Sequence, residues 1–424
     1  MNPLRLALAA LLIAAPGCRD ASDDGAPASG SGPAKPTEGR WKPARTVDPE
    51  LAGKIDDLEQ MAYLSGSKPG AGGAGVMVHA KDHVAPGFNL YTSGHAPVAV
   101  LTDLDGEVLH SWKVTFEEAF PSFPIDKHEK SHFRQYFRRV RLFEDGGLLA
   151  IFEGHGMVKL DRDSRIEWTY DGKPHHDLEV TQDGEIVVLT REASVIRRIN
   201  PREPVLEDFV VVLDESGAEQ RRVSILDAFE SSGYRTLLAR MPRQGDIMHT
   251  NTVEVLDGSL AGVDEAFRAG NVLVSCLKTS TIAVIDLDAA KVVWAATGSW
   301  VRQHQPTVLD DGQILVFDNL GDKSGFGRSR VFELDPATKK IGWTYAGTAG
   351  APFETATCGA GQRLENGNTL ITESDNGRAF EVNAGGKIVW EFRSPHRAGP
   401  GNKFVATLFE VIRLPANTPL AWLE

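Results

Sequence analysis

The sequence predicts an all-β protein: a six-bladed β-propeller with four-stranded blades, a short N-terminal helix and helical or loop insertions. Three observations carry this expectation. A unit of Leu-Asp or similar, a polar turn, β-formers and a Trp recurs along the chain. A second unit, Asp-Gly or Asn-Gly followed by an apolar strand, alternates with it. The chain also holds 42 Gly in 424 residues, the supply that many tight turns require.

The first unit appears as Asp103-Leu-Asp-Gly-Glu-Val-Leu-His-Ser-Trp112 and as Leu160-Asp-Arg-Asp-Ser-Arg-Ile-Glu-Trp168. It returns in the strings ending at Trp294, Trp343 and Trp390, and a degenerate copy runs from Leu213 to Val223. Each copy reads as a hairpin. The second unit begins at Asp145, Asp183, Asp311 and Asn366, with a close variant at Ala269-Gly270. Two hairpins per unit make a propeller blade, and six blades close a ring without a long free edge. The last strand, around Phe409 to Leu414, is expected to complete the first blade beside the early strands at Gly75 to His79 and Phe88 to Tyr91. Two insertions break the rhythm: Val114 to Phe133, and Val223 to Ile247, where Ile225, Leu226, Phe229, Leu237 and Leu238 have helical spacing. Such insertions are often lids or binding loops.

The N-terminus reads differently. Leu6 to Ala15 is apolar but too short to span a bilayer, and it has the length of a signal-peptide core. It ends in Ala15-Pro16-Gly17-Cys18, which resembles a bacterial lipoprotein signal with Cys18 as the lipidated residue. The expected organisation is a signal over 1–17, a flexible tether over 18–48, a helical segment over 49–74 and the propeller over 75–424. The tether is rich in Gly, Ala, Pro, Ser and Asp and cannot bury enough to fold. The chain is thus expected to be exported and held to the membrane by a lipid anchor. Arg19 after the Cys favours the outer membrane of the envelope, facing the periplasm.

A formal net charge of −13 speaks against nucleic acid as a partner. Cys276 and Cys358 form no CxxC pair and are expected to be buried, unpaired thiols.

Three histidines share a register. His176 and His304 lie eight residues before the turn glycines Gly184 and Gly312, and His249 lies nine before Gly258. In the first blade that register, counted back from Gly146 or Gly147, falls on Arg138 or Arg139, and in the fifth on Gly359, beside Cys358. Strands at the start of successive blades line the central channel, so these side chains should converge. Converging imidazoles could bind an anion, shuttle a proton, act as a nucleophile or hold a metal. An Arg facing them favours an anion, and no metal or cofactor is assigned.

The strings around these residues, His175-His176-Asp177, Asp246-Ile-Met-His249-Thr-Asn251, Gln303-His304-Gln-Pro306 and Asn366-Gly-Asn-Thr-Leu-Ile-Thr-Glu373, together resemble the bacterial arylsulfate sulfotransferase family from about Phe88 to Leu414. The resemblance implies a six-bladed propeller outside the cytoplasm. It implies transfer of a sulfuryl group from a phenolic sulfate ester to a phenol, without a nucleotide donor. His304 then matches the nucleophile that becomes a sulfohistidine. His249 and Asn251 match the pair that holds sulfate oxygens, and His176 the third histidine, with His175 the weaker candidate of that pair. One family residue is missing: an Arg is replaced by Leu277, and the neighbouring Lys278 would face away on a strand. Arg138 or Arg139 could substitute from across the channel. Aryl sulfates and phenols are the expected small-molecule partners. The alternative is a non-catalytic, envelope-anchored binding or scaffold propeller. Two weaker readings are a quinoprotein dehydrogenase and a metal site on the His trio.

Overall fold

A computed structural model of the chain describes Lys54 and residues 66–70, 72–123, 135–324 and 327–423. The expected signal over 1–17, Cys18, the expected tether over 18–48 and most of the helical segment expected over 49–74 lie outside these residues; of the described part of that segment Lys54 is helical, whereas 66–70 and 72–74 are not. Among the described residues no helix is long and apolar enough to cross a membrane.

Six sheets, antiparallel but for the short strand Gly245–Asp246 that adds in parallel to the third, form the six blades of a β-propeller, and a two-stranded ribbon, Arg397–Ala398 with Phe404–Val405, lies outside them. Each blade is ordered in space as in sequence, apart from the first and the outer strand of the sixth. The first blade runs from Leu408–Pro415 through Gly87–Ser93 and Val98–Thr102 to Val108–Lys113. The C-terminal strand is its innermost member, so the two ends of the chain close the ring. The innermost strands of the other blades are Arg139–Leu142, Pro174–Val180, Thr250–Val255, His304–Val308 and Ala360–Arg363. The strand Gly75–His79 does not join the first blade. It pairs with Ile388–Arg393 as a fifth, outer strand of the sixth blade.

The repeated Leu-Asp unit has a common cause. In all six copies the Asp or Asn side chain accepts hydrogen bonds from backbone N–H groups in the following turn. Asp103 accepts from Asp105 and Glu107, and Asn383 from Gly385 and Lys387. The degenerate copy keeps this turn: Asp214 accepts from Ser216 and Ala218. An acceptor side chain that closes its own turn is the reason Asp and Asn recur there. The Trp side chains join neighbouring blades. Nε1 of Trp112, Trp168, Trp294 and Trp390 donates to a turn carbonyl of the following blade, at Gly146, Glu215, Pro336 and Leu104. The third blade has Val223 in place of the Trp. There the helix Ile225–Glu230, capped by the Ser224 side chain, buries Ile225, Leu226 and Phe229 against Val272, Val274 and Leu287 of the next blade. Each such fully buried aromatic or aliphatic side chain contributes about 1.5–3 kcal/mol.

The first insertion opens on another short helix, Phe116–Ala119, closed by a capping box between Thr115 and Glu118. Phe116 packs edge-on against Phe152 and stacks on Phe120. The remainder of this insertion, 124–134, lies outside the described residues.

Inner strands expose one unpaired hydrogen-bonding edge, and side chains of the adjacent blade satisfy it. Val253 and Val255 donate to Asp177 and Glu179, Gln305 and Val308 to Thr252 and Glu254. At the closing seam Arg413 donates its N–H to Gln362 at 2.8 Å and accepts from the same amide at 3.0 Å. Its guanidinium, buried, bonds Glu381 at 3.0 Å and Asn89 at 2.8 Å. Replacing one member of a buried pair leaves the other uncompensated, a loss of about 3–5 kcal/mol. Arg413→Met is therefore expected to lower unfolding stability by about that much, read from the guanidinium chloride midpoint. A loss below about 1 kcal/mol would show that this seam does not hold the ring.

Candidate active site

The three register histidines converge at the end of the channel where the innermost strands begin. Their placement starts with backbone distortion. The first stretch of the inner strand is bulged in the third, fourth and fifth blades. His176 and His249 adopt left-handed backbone conformations at φ 58° and 51°, as does Gln305 beside His304 at φ 40°. A bulge re-aims a side chain, and non-Gly residues in this region are held there only by their surroundings. Here Glu153 accepts the His176 N–H at 2.8 Å, and the His249 carbonyl accepts from Leu277 N–H at 3.2 Å. The His176 and His249 rings then meet edge to face with centroids 5.0 Å apart.

Each ring is oriented by a second residue. His304 Nδ1 lies 2.7 Å from Asn319 Oδ1 and 3.0 Å from the Arg302 carbonyl. Asn319 Nδ2 donates to the carbonyls of Thr355 and Cys358, at 3.0 and 2.8 Å. That arrangement assigns Oδ1 as the group facing the ring, so Nδ1 carries the proton and Nε2 keeps its lone pair. His249 Nδ1 is bonded in the same way to Asp246. His249, Arg191 and Lys278 hold the Asp246 carboxyl below the usual range against the cost of its burial. His176 Nδ1 lies 2.7 Å from His175 Nδ1 and 3.2 Å from Glu153 Oε1.

Burial favours the neutral form of His304, His175 and His176. It pushes His304 down to about 3, and the neighbouring His249 and Arg138 act in the same direction. It also places His175 and His176 well below their ordinary value. Asp208, behind His175, is pushed up by burial and by Asp246.

The structure separates the two arginines of the expected register. Arg138 is buried beside the histidines, 4.0 Å from Glu153 and over the Phe409 ring. Arg139 turns into the next layer of the channel, where it pairs with Asp177 at 3.0 Å and with Glu410. It therefore does not face the histidines. Asn251 sits at the seam beside His304, its amide donating to the Gln303 carbonyl at 2.9 Å. His175 lies behind His176, with Nε2 3.6 Å from Asp208. Leu277 is half-buried in a 3-10 turn, Leu277–Thr279, rather than on a strand, so strand alternation does not govern Lys278; that side chain is exposed. Both Cys276 and Cys358 are free and buried.

Several site residues escaped the sequence reading. Glu153, Arg191, Asn319 and Ser374 each lie seven residues after a turn glycine: Gly146, Gly184, Gly312 and Gly367. All four are buried. Counting forward from the turn, as well as back, would have found them. Tyr136 and Phe409, with ring centroids 4.5 Å apart, complete the wall near Cys358.

Glu153, His175 and His176 also bring ligand-type atoms within 4.8 Å of one another. Their geometry suits a hydrogen-bonded chain better than a metal. Two nitrogens on a tetrahedral zinc stand about 3.3 Å apart, whereas these imidazoles approach to 2.7 Å. Arg138 and Arg191 each stand 4.0 Å from Glu153 and oppose a cation. The channel beyond Arg139 opens into a cavity of about 670 Å³ lined by Asp177, Glu179, Glu254 and Glu410, and none of the three histidines borders it.

No curated protein matches the chain significantly in sequence. Several solved structures align with the chain at low identity. A protein of unknown function from Bacteroides caccae aligns over 77% of this chain and 98% of its own, at 14% identity and a TM-score of 0.48. The propeller domain of Myceliophteria thermophila Cps50 (Swd1) aligns over 79% and 88%, at 11% identity and 0.43. Virginiamycin B lyase from Staphylococcus aureus aligns over 60% and 69%, at 11% identity and 0.36. The family model for arylsulfotransferase (ASST) matches residues 139–395, which is more than half of the chain and contains the three converging histidines. This protein belongs to the arylsulfotransferase family.

Proposed function

We propose that the protein transfers a sulfuryl group between phenols through a sulfohistidine on His304. The observation that carries this reading is the His304–Asn319 hydrogen bond, which leaves a neutral imidazole with Nε2 as its lone-pair nitrogen. Sulfuryl transfer needs a nucleophile that is already unprotonated at working pH, and a buried neutral imidazole is one.

In the first half-reaction Nε2 of His304 attacks the sulfur of an aryl sulfate. The N–S bond forms, the S–O bond to the aryl group breaks, and phenolate departs with the bonding pair. In the second, an acceptor phenol gives its proton to Nε2 of His249, its oxygen attacks sulfur, and the N–S pair returns to His304. Asp246 balances the imidazolium that forms on His249, and the proton is then available to the next leaving phenolate. His176, Arg138 and Asn251 surround the transferring group, whose negative charge is spread over three oxygens. His175 orients His176.

The test is a transfer assay on the purified full-length protein with a chromogenic aryl sulfate and a second phenol. Phenol release should depend on the acceptor, and His304→Asn should lose roughly four orders of magnitude or more while remaining folded. Mass spectrometry should find an acid-labile sulfuryl adduct on His304 when the acceptor is withheld. A wild type inactive across several donors, with no adduct, would favour the scaffold reading.

Asn319→Ala frees the His304 tautomer without touching Nε2. We expect kcat to fall by between roughly 10²- and 10⁴-fold with little change in KM. An unchanged kcat would remove Asn319 from the mechanism.

The neutral state of His304 has a thermodynamic signature. Its pKa is lowered on folding, so the unfolded chain takes up the proton first. Stability from this group is complete above the ordinary value of 6.5 and is lost as pH falls toward about 3. Within that window it contributes a slope of up to about 1.4 kcal/mol per pH unit. His304→Asn should lower the pH dependence of unfolding between pH 6 and 4 by about one proton. An unchanged slope would mean that His304 is protonated in the folded protein.

A further inference from the structure

Second-strand ends form a ring of their own around the histidines. Seven residues after the turn glycine the blades present Glu153, Arg191, Leu277, Asn319 and Ser374 in chain order. Each directly follows a five-residue strand, except that the third-blade strand runs on through Arg191. Leu277 and Arg191 therefore occupy equivalent places in adjacent blades. One is half-buried and uncharged; the other is a buried cation.

The Arg191 guanidinium lies across Gly154, where a Cβ would come within 2.4 Å of Nη2. Gly154 has φ 71°, so both the backbone and the missing side chain make room for it. Nη1 stands 4.0 Å from Glu153 Oε1, the same distance at which Arg138 Nε stands from Oε2. Both separations are beyond hydrogen-bonding range. Glu153 spends Oε2 on the His176 N–H and approaches the His176 ring with Oε1. Two guanidinium groups thus stand within 4.0 Å of one carboxylate beside the imidazoles. The charge of Arg191 also acts on His175, His176 and Asp246, which places it among the residues of the site.

We propose that Arg191 is the principal anion-binding cation of this site, supplying from the third blade the charge that Leu277 does not supply from the fourth. The ligand it fits is the trigonal oxygen face of a sulfuryl group or free sulfate, which a planar guanidinium can contact with two N–H donors. This assignment rests on the sulfuryl-transfer reading for its catalytic consequence, but not for anion binding itself.

The experiment compares Arg191→Met, Arg191→Lys, Glu153→Gln/Arg191→Met and Leu277→Arg/Arg191→Met in the full-length protein. Two measurements run in parallel: stabilisation by inorganic sulfate in thermal unfolding, and transfer kinetics. Arg191→Met should weaken sulfate binding at least tenfold and kcat/KM at least a hundredfold. Arg191→Lys should recover part of both. The Glu153→Gln/Arg191→Met protein, which buries no uncompensated carboxylate there, should fold as wild type yet remain defective. Leu277→Arg on the Arg191→Met background should restore binding and turnover, which a merely structural Arg191 would not allow. If the Glu153→Gln/Arg191→Met protein binds sulfate and turns over within threefold of wild type, the assignment is overturned while the transfer reading stands. If wild type binds sulfate through Arg191 but transfers nothing, the transfer reading fails and the anion site remains.

Discussion

The structure depends on the open edge of six innermost strands. Each has a neighbour on one side only, so its other backbone edge faces the channel or the next blade. Unpaired N–H groups in such a position cost about as much as a lost hydrogen bond each. The chain meets this with side-chain acceptors, Asp177, Glu179, Thr252, Glu254, Thr372 and Gln362, each reaching a backbone N–H on the neighbouring inner strand. The channel is polar for that structural reason before any functional one. The acidic residues that border its wide end are largely these stitches. Ring closure by Leu408–Pro415 belongs to the same solution, because the last strand is itself an inner strand and brings Arg413 to the final seam.

The chemistry uses the places where the stitching fails. At the start of the inner strands in the third to fifth blades the ladder is bulged, and it is there that His176, His249 and His304 gather. A regular strand would present alternate residues to the channel and its neighbours to the blade interior. A left-handed residue breaks that alternation, and the second-strand ends then supply the groups that hold each histidine: Glu153 for His176 and Asn319 for His304. Three imidazoles so close together in a buried space would repel one another if charged. Burial and mutual proximity act in the same direction, which holds His176 and His304 neutral, and Asn319 fixes the tautomer of His304.

Much of this was legible in the sequence, for reasons the structure makes plain. The Asp turns and Trp ties repeat because each blade needs the same closure and the same contact with its neighbour, so the blade count could be read even through the copy at Asp214 that has lost its Trp. The three histidines were visible because a turn glycine fixes the length of the hairpin behind them. What could not be read was direction. Arg138 and Arg139 are adjacent, and only the local backbone decides that Arg138 faces the histidines while Arg139 faces Asp177 and Glu410. The strand at Gly75–His79 carries no register signal toward either end blade, and it adds to the sixth. Leu277 read as a strand residue because the apolar run before it does not show where the strand stops and the 3-10 turn begins.

Arg139 also explains how an anion site can stand above an acidic channel. Asp177 and Glu410 lie one layer below the histidines, close enough for Asp177 to follow His176 directly in sequence. Left alone they would oppose any anion held above them, and in a buried region that repulsion is poorly screened. Arg139 pairs with both and donates to the His176 carbonyl at 3.3 Å. Burial and the neighbouring Glu410 still push Asp177 up to about 6 despite Arg139, toward its neutral form. Arg139 offsets part of the negative charge of this layer. The layer separates the ring of imidazoles from the wide cavity beyond, and it lets Arg138 and Arg191 set the sign of the site above it.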